Sequence, residues 1–143
     1  MNVLVDTSVW SLNLRRRAAG LNHEEQLVAA ELRELIREAR VRMIGPIRQE
    51  LLSGIREQVQ YLRLRSFLRA FEDQALTRED YESAAHLGNQ CRARGISGSP
   101  IDFIICAVAL RCGWEIFSRD RDFAEYSNAV SIKLHAPRAS AWP

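Results

Sequence analysis

The chain has few of the residues that mark secreted, zinc-binding or membrane proteins. Its 143 residues include only 3 cysteines, Cys91, Cys106 and Cys112, without a Cys-x-x-Cys pair. This set argues against a disulfide framework and a zinc site. No apolar run approaches the roughly 20 residues that cross a bilayer, and the start lacks the basic segment of a signal peptide. We therefore expect a cytoplasmic protein without membrane contact.

Lysine is also nearly absent. Lys133 is the single lysine among 20 basic side chains, so the others are arginine, while the net charge is only +2. Arginine binds phosphate through paired hydrogen bonds and stacks on bases. A GC-rich genome produces the same bias, so the composition alone does not identify a nucleic-acid partner.

The length suits one domain with its own core, and no linker divides the chain. We expect a single domain over residues 1–143, with 136–143 as a C-terminal tail. Short apolar runs at 3–5, 41–44, 115–118 and 130–134 predict buried strands. Helical patterns lie between them, and this alternation predicts an α/β fold with a mainly parallel sheet and helices on both faces.

Several helix boundaries carry recognisable signals. Asn22 is a candidate N-cap for a helix to Arg40. Thr77 and Asp80 form a variant capping box for a helix that Gly95 closes. Five further helices are predicted. One runs from the end of the first strand to about residue 14, and the others lie at 46–52, at 57–71, from 100 to the Gly113 stop, and at 120–126.

The acidic residues occupy the places that matter most in such a sheet. Asp6 closes the first strand, Glu50 and Asp102 lie in the first turns of helices, and a last pair follows the third strand: Asp120 and Asp122. In an open parallel sheet these places converge on one edge. Each acid taken alone has a structural explanation as a helix cap or a solvated charge, but independent caps need not converge.

Carboxylates that meet at one edge repel one another and raise each other's pKa. A divalent cation removes that cost, and Mg²⁺ takes oxygen ligands from a few carboxylates together with substrate phosphate. Such ions activate water and stabilise the leaving oxygen in phosphodiester cleavage. The pattern therefore predicts Mg²⁺, or Mn²⁺ in its place, and phosphodiester chemistry.

Four segments in order resemble the motifs of the PIN-domain ribonucleases, and specifically of the VapC-type toxins. They are VLVDTSVW at 3–10, GPIRQELLSG at 45–54, SGSPIDFIICA at 97–107 and IFSRDRDF at 116–123. The match spans about residues 2 to 134. The resemblance implies a PIN-like three-layer α/β/α fold with about four or five short strands, and a Mg²⁺-dependent endoribonuclease.

The resemblance also assigns roles to single residues. It implies that Asp6, Glu50, Asp102 and Asp120 are the catalytic acids. The metal ligands would be Asp6, Asp102 and Asp120, with Glu50 and Asp122 as further candidates. Hydroxyl groups would orient these carboxylates or a water, and the candidates are Thr7, Ser8 and Ser118, the last at a position where the family often has threonine.

The same resemblance implies an RNA substrate, a homodimer, and inhibition by a cognate VapB-type antitoxin. Arginines near the acidic edge are candidate contacts to the RNA backbone. These are Arg15, Arg16, Arg17, Arg119 and Arg121.

Two other functions compete with this interpretation. A non-catalytic interaction module of the same fold would lack one of the acids, and all are present. A phospho-acceptor signalling domain also gathers acids around Mg²⁺, but it needs paired acids after the first strand and an opposing lysine. Asp6 stands alone, and Lys133 lies in the last predicted strand.

Overall fold

A computed structural model describes residues 1–15 and 20–138. Three parallel strands run through its centre in the order β2-β1-β3. They are β1 (Val3–Val5), β2 (Val41–Arg42) and β3 (Glu115–Phe117). In the register of this sheet, Val3 lies opposite both Val41 and Glu115, and Val5 lies opposite Phe117. The carboxyl ends of β1 and β3 are therefore side by side.

The described part of the chain contains seven helices, six between the strands and one after β3. They are α1 (Thr7–Arg15), α2 (His23–Arg37), α3 (Gly45–Leu52), α4 (Gln58–Leu68), α5 (Arg78–Ala93), α6 (Pro100–Cys112) and α7 (Asp122–Tyr126). The chain crosses from β1 to one neighbour and then back past β1 to the other. Right-handed crossovers in opposite directions put helices on both faces of the sheet, so the predicted α/β class is confirmed.

The sheet is smaller than the sequence predicted. The segment expected as a last strand forms a single bridge between Leu134 and Ile116, and a second isolated bridge joins Met43 to Asp73. Within residues 1–15 and 20–138, three strands and two isolated bridges are present where four or five strands were expected. Residues 139–143 of the predicted tail lie outside the described residues.

The helix boundary signals agree closely with the structure. Capping boxes are present at Asn22 with Glu25 and at Thr77 with Asp80. The Ser99 hydroxyl accepts a hydrogen bond at the start of α6, where Pro100 is the first helical residue. Helix α2 ends at Arg37, three residues before the predicted Arg40, and α7 starts at Asp122 rather than Asp120.

The core lies around β1, whose three side chains have no exposed surface. Trp10 is also fully buried; its indole donates a hydrogen bond to the Val5 carbonyl at 3.2 Å. Its ring packs edge-on against Phe71, with 5.2 Å between the centroids. Trp10 therefore packs in the core and hydrogen-bonds to the end of the first strand. None of the helices in the described ranges is long and apolar enough to cross a membrane.

Two ion-pair clusters join distant segments. Arg111, near the end of α6, donates at 2.7 and 2.8 Å to the two carboxylate oxygens of Asp80, at the start of α5. Buried Glu31 of α2 lies 2.9 Å from the His135 ring and accepts from the Arg138 guanidinium at 2.8 Å. The second cluster ties the segment after the Leu134 bridge to α2.

Candidate metal centre

The residues that follow β1 and β3 lie at the same edge of the sheet. Asp6 follows β1 and Ser118 follows β3, and the Asp6 amide donates to the Phe117 carbonyl at 2.8 Å. This hydrogen bond continues the parallel pairing one step beyond the strands. The side chains that begin the next segments are therefore neighbours, although they are more than a hundred positions apart in sequence.

Two serine hydroxyls hold the carboxylate of Asp6. Ser118 donates to Asp6 Oδ2 at 2.7 Å, and Ser8 donates to the same oxygen at 2.9 Å. Each serine oxygen also accepts a backbone hydrogen bond, from Asp120 to Ser118 at 3.0 Å and from Arg119 to Ser8 at 2.9 Å. The network fixes the orientation of a buried carboxylate and joins it to the turn that carries Asp120.

The Asp6 carboxylate is therefore not used as a helix cap. The first turn of α1 hydrogen-bonds to the Asp6 backbone carbonyl, which accepts from the Val9 and Trp10 amides at 3.1 and 3.3 Å. Asp6 is 8% exposed, and its carboxylate lies against the hydroxyl groups of Ser8 and Ser118.

Asp102 comes to this edge from α6. Ser99 caps that helix by accepting from the Asp102 amide at 3.1 Å, and the Asp102 carboxylate accepts a hydrogen bond at 2.6 Å from the hydroxyl of Tyr126. Burial raises the pKa of Asp102 above its ordinary value, and the charges of Asp6 and Asp120 act in the same direction. The Tyr126 hydrogen bond opposes this shift.

Three carboxylates form a close group at the surface of the site. Oxygens of Asp102, Asp120 and Asp122 all lie within 4.8 Å of one another. Over residues 1–15 and 20–138 this is the one group of three or more acidic, histidine or cysteine side chains with that spacing. Asp120 also accepts from the Asp122 amide at 2.9 Å, so it shapes the start of α7 as well.

The donor set fits a hard divalent cation. It consists of carboxylate oxygens with neither nitrogen nor sulfur, and it is partly open to solvent, because Asp120 and Asp122 are exposed. Mg²⁺ and Mn²⁺ prefer such ligands and retain waters beside a small number of carboxylates. These side chains could therefore hold the predicted cation.

Two of the predicted acids, Asp6 and Glu50, are not members of this group. Glu50 is exposed in the second half of α3, whose buried face carries Ile47 and Leu51. Thr7 Oγ1 is buried and forms no hydrogen bond with the described residues, whereas Ser8 and Ser118 contact Asp6 directly.

The predicted arginine contacts differ in their surroundings. Arg119 Nη2 lies 3.1 Å from the buried carboxylate of Glu25, so this guanidinium is paired within the molecule. Arg121 is exposed just before α7. Arg16, Arg17 and the side chain of Arg15 lie outside the described residues.

For two residues near the site, Tyr126 and Glu25, the sequence did not predict a role. Tyr126 was assigned only to the end of a short helix, and Glu25 only to an amphipathic one. The spacing of Phe123 and Tyr126, three positions apart after Asp122, is a weak signal for an apolar face under the acids. Nothing in the sequence indicates that a tyrosine hydroxyl reaches Asp102, because that contact depends on how α6 and α7 pack.

Comparisons with known proteins identify the family and the fold of the chain. The PIN domain model matches residues 3–129. Ribonuclease VapC11 of Mycobacterium tuberculosis and VapC ribonuclease Mb1587 of Mycobacterium bovis are each 31% identical over 138 residues, covering 92% of this chain and 96% of the relative.

Solved structures share the fold. The crystal structure of FitAcB from Neisseria gonorrhoeae matches with a TM-score of 0.74 at 21% identity, covering 94% of this chain and 97% of that one. VapBC2 from Rickettsia felis, bound to a DNA fragment from its promoter, matches with a TM-score of 0.71 at 13% identity, covering 94% and 98%.

The family match spans the strands, helices and acidic edge described above, and the solved structures share the fold. The chain belongs to the PIN-domain family, among relatives named VapC ribonucleases.

Proposed function

We propose that this chain is a Mg²⁺-dependent endoribonuclease that acts as the toxin of a toxin-antitoxin pair. The observation that carries the proposal is the group formed by Asp102, Asp120 and Asp122, with Asp6 close enough to raise the pKa of Asp102. Relatives that are named ribonucleases over nearly the whole chain support the same activity.

We assign the acids different roles according to their positions. Asp6, Asp102 and Asp120 would hold the principal cation, and Asp122 belongs to the same group by distance. A divalent cation in this place supplies Lewis-acid stabilisation of phosphate charge and lowers the pKa of water. Glu50, on α3, would serve a second cation or orient the attacking water.

The hydroxyl groups would keep the site preorganised. Ser8 and Ser118 both donate to Asp6 Oδ2 and so leave fewer orientations to that carboxylate. Partners of this kind, which orient a ligand without contacting the cation, commonly change metal affinity tenfold to a hundredfold when removed. Thr7 is a weaker candidate for this role because its hydroxyl contacts neither serine nor acid among the described residues.

The RNA backbone would be held by arginines around the rim. Arg121 is exposed beside the acids and is the candidate that the geometry favours. Arg119 would contribute with the part of its guanidinium that Glu25 does not occupy. Arg15, Arg16 and Arg17 remain candidates from the sequence alone. Phosphate contacts of this kind position a substrate without reading its bases.

The partners follow from the same proposal. Structural neighbours include VapBC2 and FitAB, each solved with a DNA fragment, and we propose that a cognate VapB-type antitoxin inhibits this chain. We also propose that it forms a homodimer and works in the cytoplasm.

The test is RNA cleavage by the purified chain after removal of any copurifying small protein. We expect cleavage with Mg²⁺ or Mn²⁺ and none with chelator. Asp102→Asn and Asp6→Asn should each reduce the rate by about a hundredfold or more while leaving the circular dichroism spectrum unchanged. Glu125→Gln, which neutralises an exposed acid on α7, is the matched control and should retain wild-type activity. Full activity of Asp102→Asn would contradict the assignment.

A further inference from the structure

Tyr126 is a buried tyrosine with its polar end in the acidic site. It has no exposed surface, yet its hydroxyl donates to Asp102 Oδ2 at 2.6 Å. Burial raises the pKa of Tyr126 far above its ordinary value, and the nearby carboxylates of Asp102, Asp120 and Asp122 add to this effect. The tyrosine hydroxyl is the donor in this short hydrogen bond, and the Asp102 carboxylate oxygen is the acceptor.

Three neighbours keep the tyrosine ring in one place. The ring packs against Phe103 with 5.0 Å between the centroids, and against Phe123 with 5.3 Å between them. Gly98 closes the remaining side: a Cβ at this position would lie 2.4 Å from the Tyr126 hydroxyl oxygen and 2.8 Å from the Phe103 ring. Glycine is required here because any side chain would displace the hydroxyl or the rings.

The hydrogen bond joins the two segments that carry the carboxylate group. Asp102 lies in the first turn of α6, and Tyr126 ends α7, one helical turn after Asp122. The carboxylates of these segments repel one another, so without a tie the segments would tend to separate when no cation is present. A fixed contact between α6 and α7 sets the spacing of the ligands before a cation arrives.

We propose that Tyr126 is a positioning residue of the metal centre, whose hydroxyl fixes the rotation of the Asp102 carboxylate and holds α6 and α7 at the distance that coordination needs. Gly98 is part of the same device because it admits the ring. The inference rests on the proposed function, since it assumes that this carboxylate group binds a divalent cation.

The decisive variant is Tyr126→Phe, which keeps the ring and removes only the hydroxyl. We expect Mn²⁺ affinity, measured by isothermal titration calorimetry on the full chain, to fall about tenfold to a hundredfold. In RNA cleavage we expect a lower kcat with little change in KM, because the hydroxyl acts on the ligand group and not on the RNA. Excess Mn²⁺ should recover part of the lost rate.

The chain offers a matched control. Tyr81 is 52% exposed on α5, and Tyr81→Phe removes the same hydroxyl outside the site. This control should bind Mn²⁺ and cleave RNA as the wild type does. A loss in Tyr126→Phe that the control does not share is therefore a property of the site.

Gly98→Ala tests the same contact from the other side. The added methyl group must push the Tyr126 hydroxyl away from Asp102, so this variant should also lose Mn²⁺ affinity. The losses of Gly98→Ala and Tyr126→Phe should not add in the double variant, because both break one hydrogen bond. If Tyr126→Phe fails to fold, the loss in folded Gly98→Ala carries the test.

The outcomes separate the two claims. Wild-type Mn²⁺ affinity and kcat in folded Tyr126→Phe, in a chain that binds Mn²⁺ and cleaves RNA, overturn the positioning role and leave the proposed function standing. A wild-type chain that neither binds Mn²⁺ nor cleaves RNA overturns the proposed function, and the role of Tyr126 falls with it. Additive losses in the double variant also count against the shared contact.

Discussion

Ser118 serves two segments of the acidic edge with one hydroxyl group. Its oxygen donates to Asp6 Oδ2 at 2.7 Å and accepts from the Asp120 amide at 3.0 Å. Ser8 contacts the same Asp6 oxygen but is tied to the Arg119 amide instead. Ser118 is therefore the side chain that links the carboxylate after β1 to the backbone of the turn after β3.

Removing this hydroxyl should loosen Asp6 and the turn together. We expect Ser118→Ala to reduce RNA cleavage about tenfold to a hundredfold, because a ligand loses its orienting partner. Ser118→Thr keeps the hydroxyl and should retain most of the activity. The measurement is the initial rate of RNA cleavage by each variant at a fixed Mg²⁺ concentration.

Ser53→Ala is the control for this pair. Ser53 is exposed, and its hydroxyl donates to the Gln49 carbonyl at 2.8 Å within α3, so its removal should leave cleavage unchanged. Equal activity of Ser118→Ala and wild type would show that Ser8 alone suffices to hold Asp6.

At the scale of the helices, the contact between α5 and α6 is fastened by one buried carboxylate. Asp80 is 2% exposed, completes the capping box of α5 with Thr77, and pairs with Arg111 near the end of α6. The Arg111 hydrogen bonds, with those from Thr77, hold the pKa of Asp80 below its ordinary 3.8 despite its burial.

This shift predicts a contribution to acid stability with a definite sign. Because the folded pKa of Asp80 is depressed, its contribution is present above the unfolded value of about 3.8 and is lost as the pH falls through the lower folded value. Asp80→Asn should cost about 1.5 kcal/mol at neutral pH, because Arg111 loses its charge-assisted hydrogen bonds. Its melting temperature should approach that of the wild type below about pH 3.

Thermal unfolding followed by circular dichroism between pH 2.5 and 7 measures this difference. Glu79→Gln, in the same first turn but exposed, controls for the charge near the helix start. A difference in melting temperature between the wild type and Asp80→Asn that stays constant down to pH 2.5 would contradict the lowered pKa of Asp80.

The sequence predicted helices better than strands, for a physical reason. Helix starts are local: the side chains of Asn22, Thr77 and Ser99 each accept a hydrogen bond from the amide three positions later, and all three caps were identified. A strand needs a partner elsewhere in the chain. Residues 130–134 have the apolar content of a strand, but their pairing with β3 is a single bridge between Leu134 and Ile116, in which the Lys133 carbonyl and the His135 amide hydrogen-bond to Ile116.

At the scale of the whole molecule, the order of the strands decides which acids meet. The sequence placed Asp6 and Asp120 after strands, and parallel pairing of β1 with β3 brings those ends together. Asp102 of α6 and Asp122 of α7 lie within 4.8 Å of Asp120 by their carboxylate oxygens, and Asp6 is outside that group. The convergence was therefore predictable from topology, whereas the hydrogen bonds of Tyr126 and Glu25 were not, because they depend on the packing of side chains between helices.

The convergence also predicts how a cation changes the stability of the fold. Without metal the carboxylates repel one another, so Asp102→Asn should melt at or above the wild-type temperature. With Mn²⁺ or Mg²⁺ at millimolar concentration, the free energy of unfolding of the wild type should rise, by about 2.7 kcal/mol when the metal is at a hundred times its dissociation constant. That of Asp102→Asn should not rise. Glu125→Gln should gain as the wild type does, since its exposed acid lies outside the group. Differential scanning calorimetry with and without metal measures which protein, the wild type or Asp102→Asn, has the higher melting temperature under each condition. An unchanged wild-type melting temperature with either metal would count against a cation at this edge, because a ligand that binds only the folded state must stabilise it.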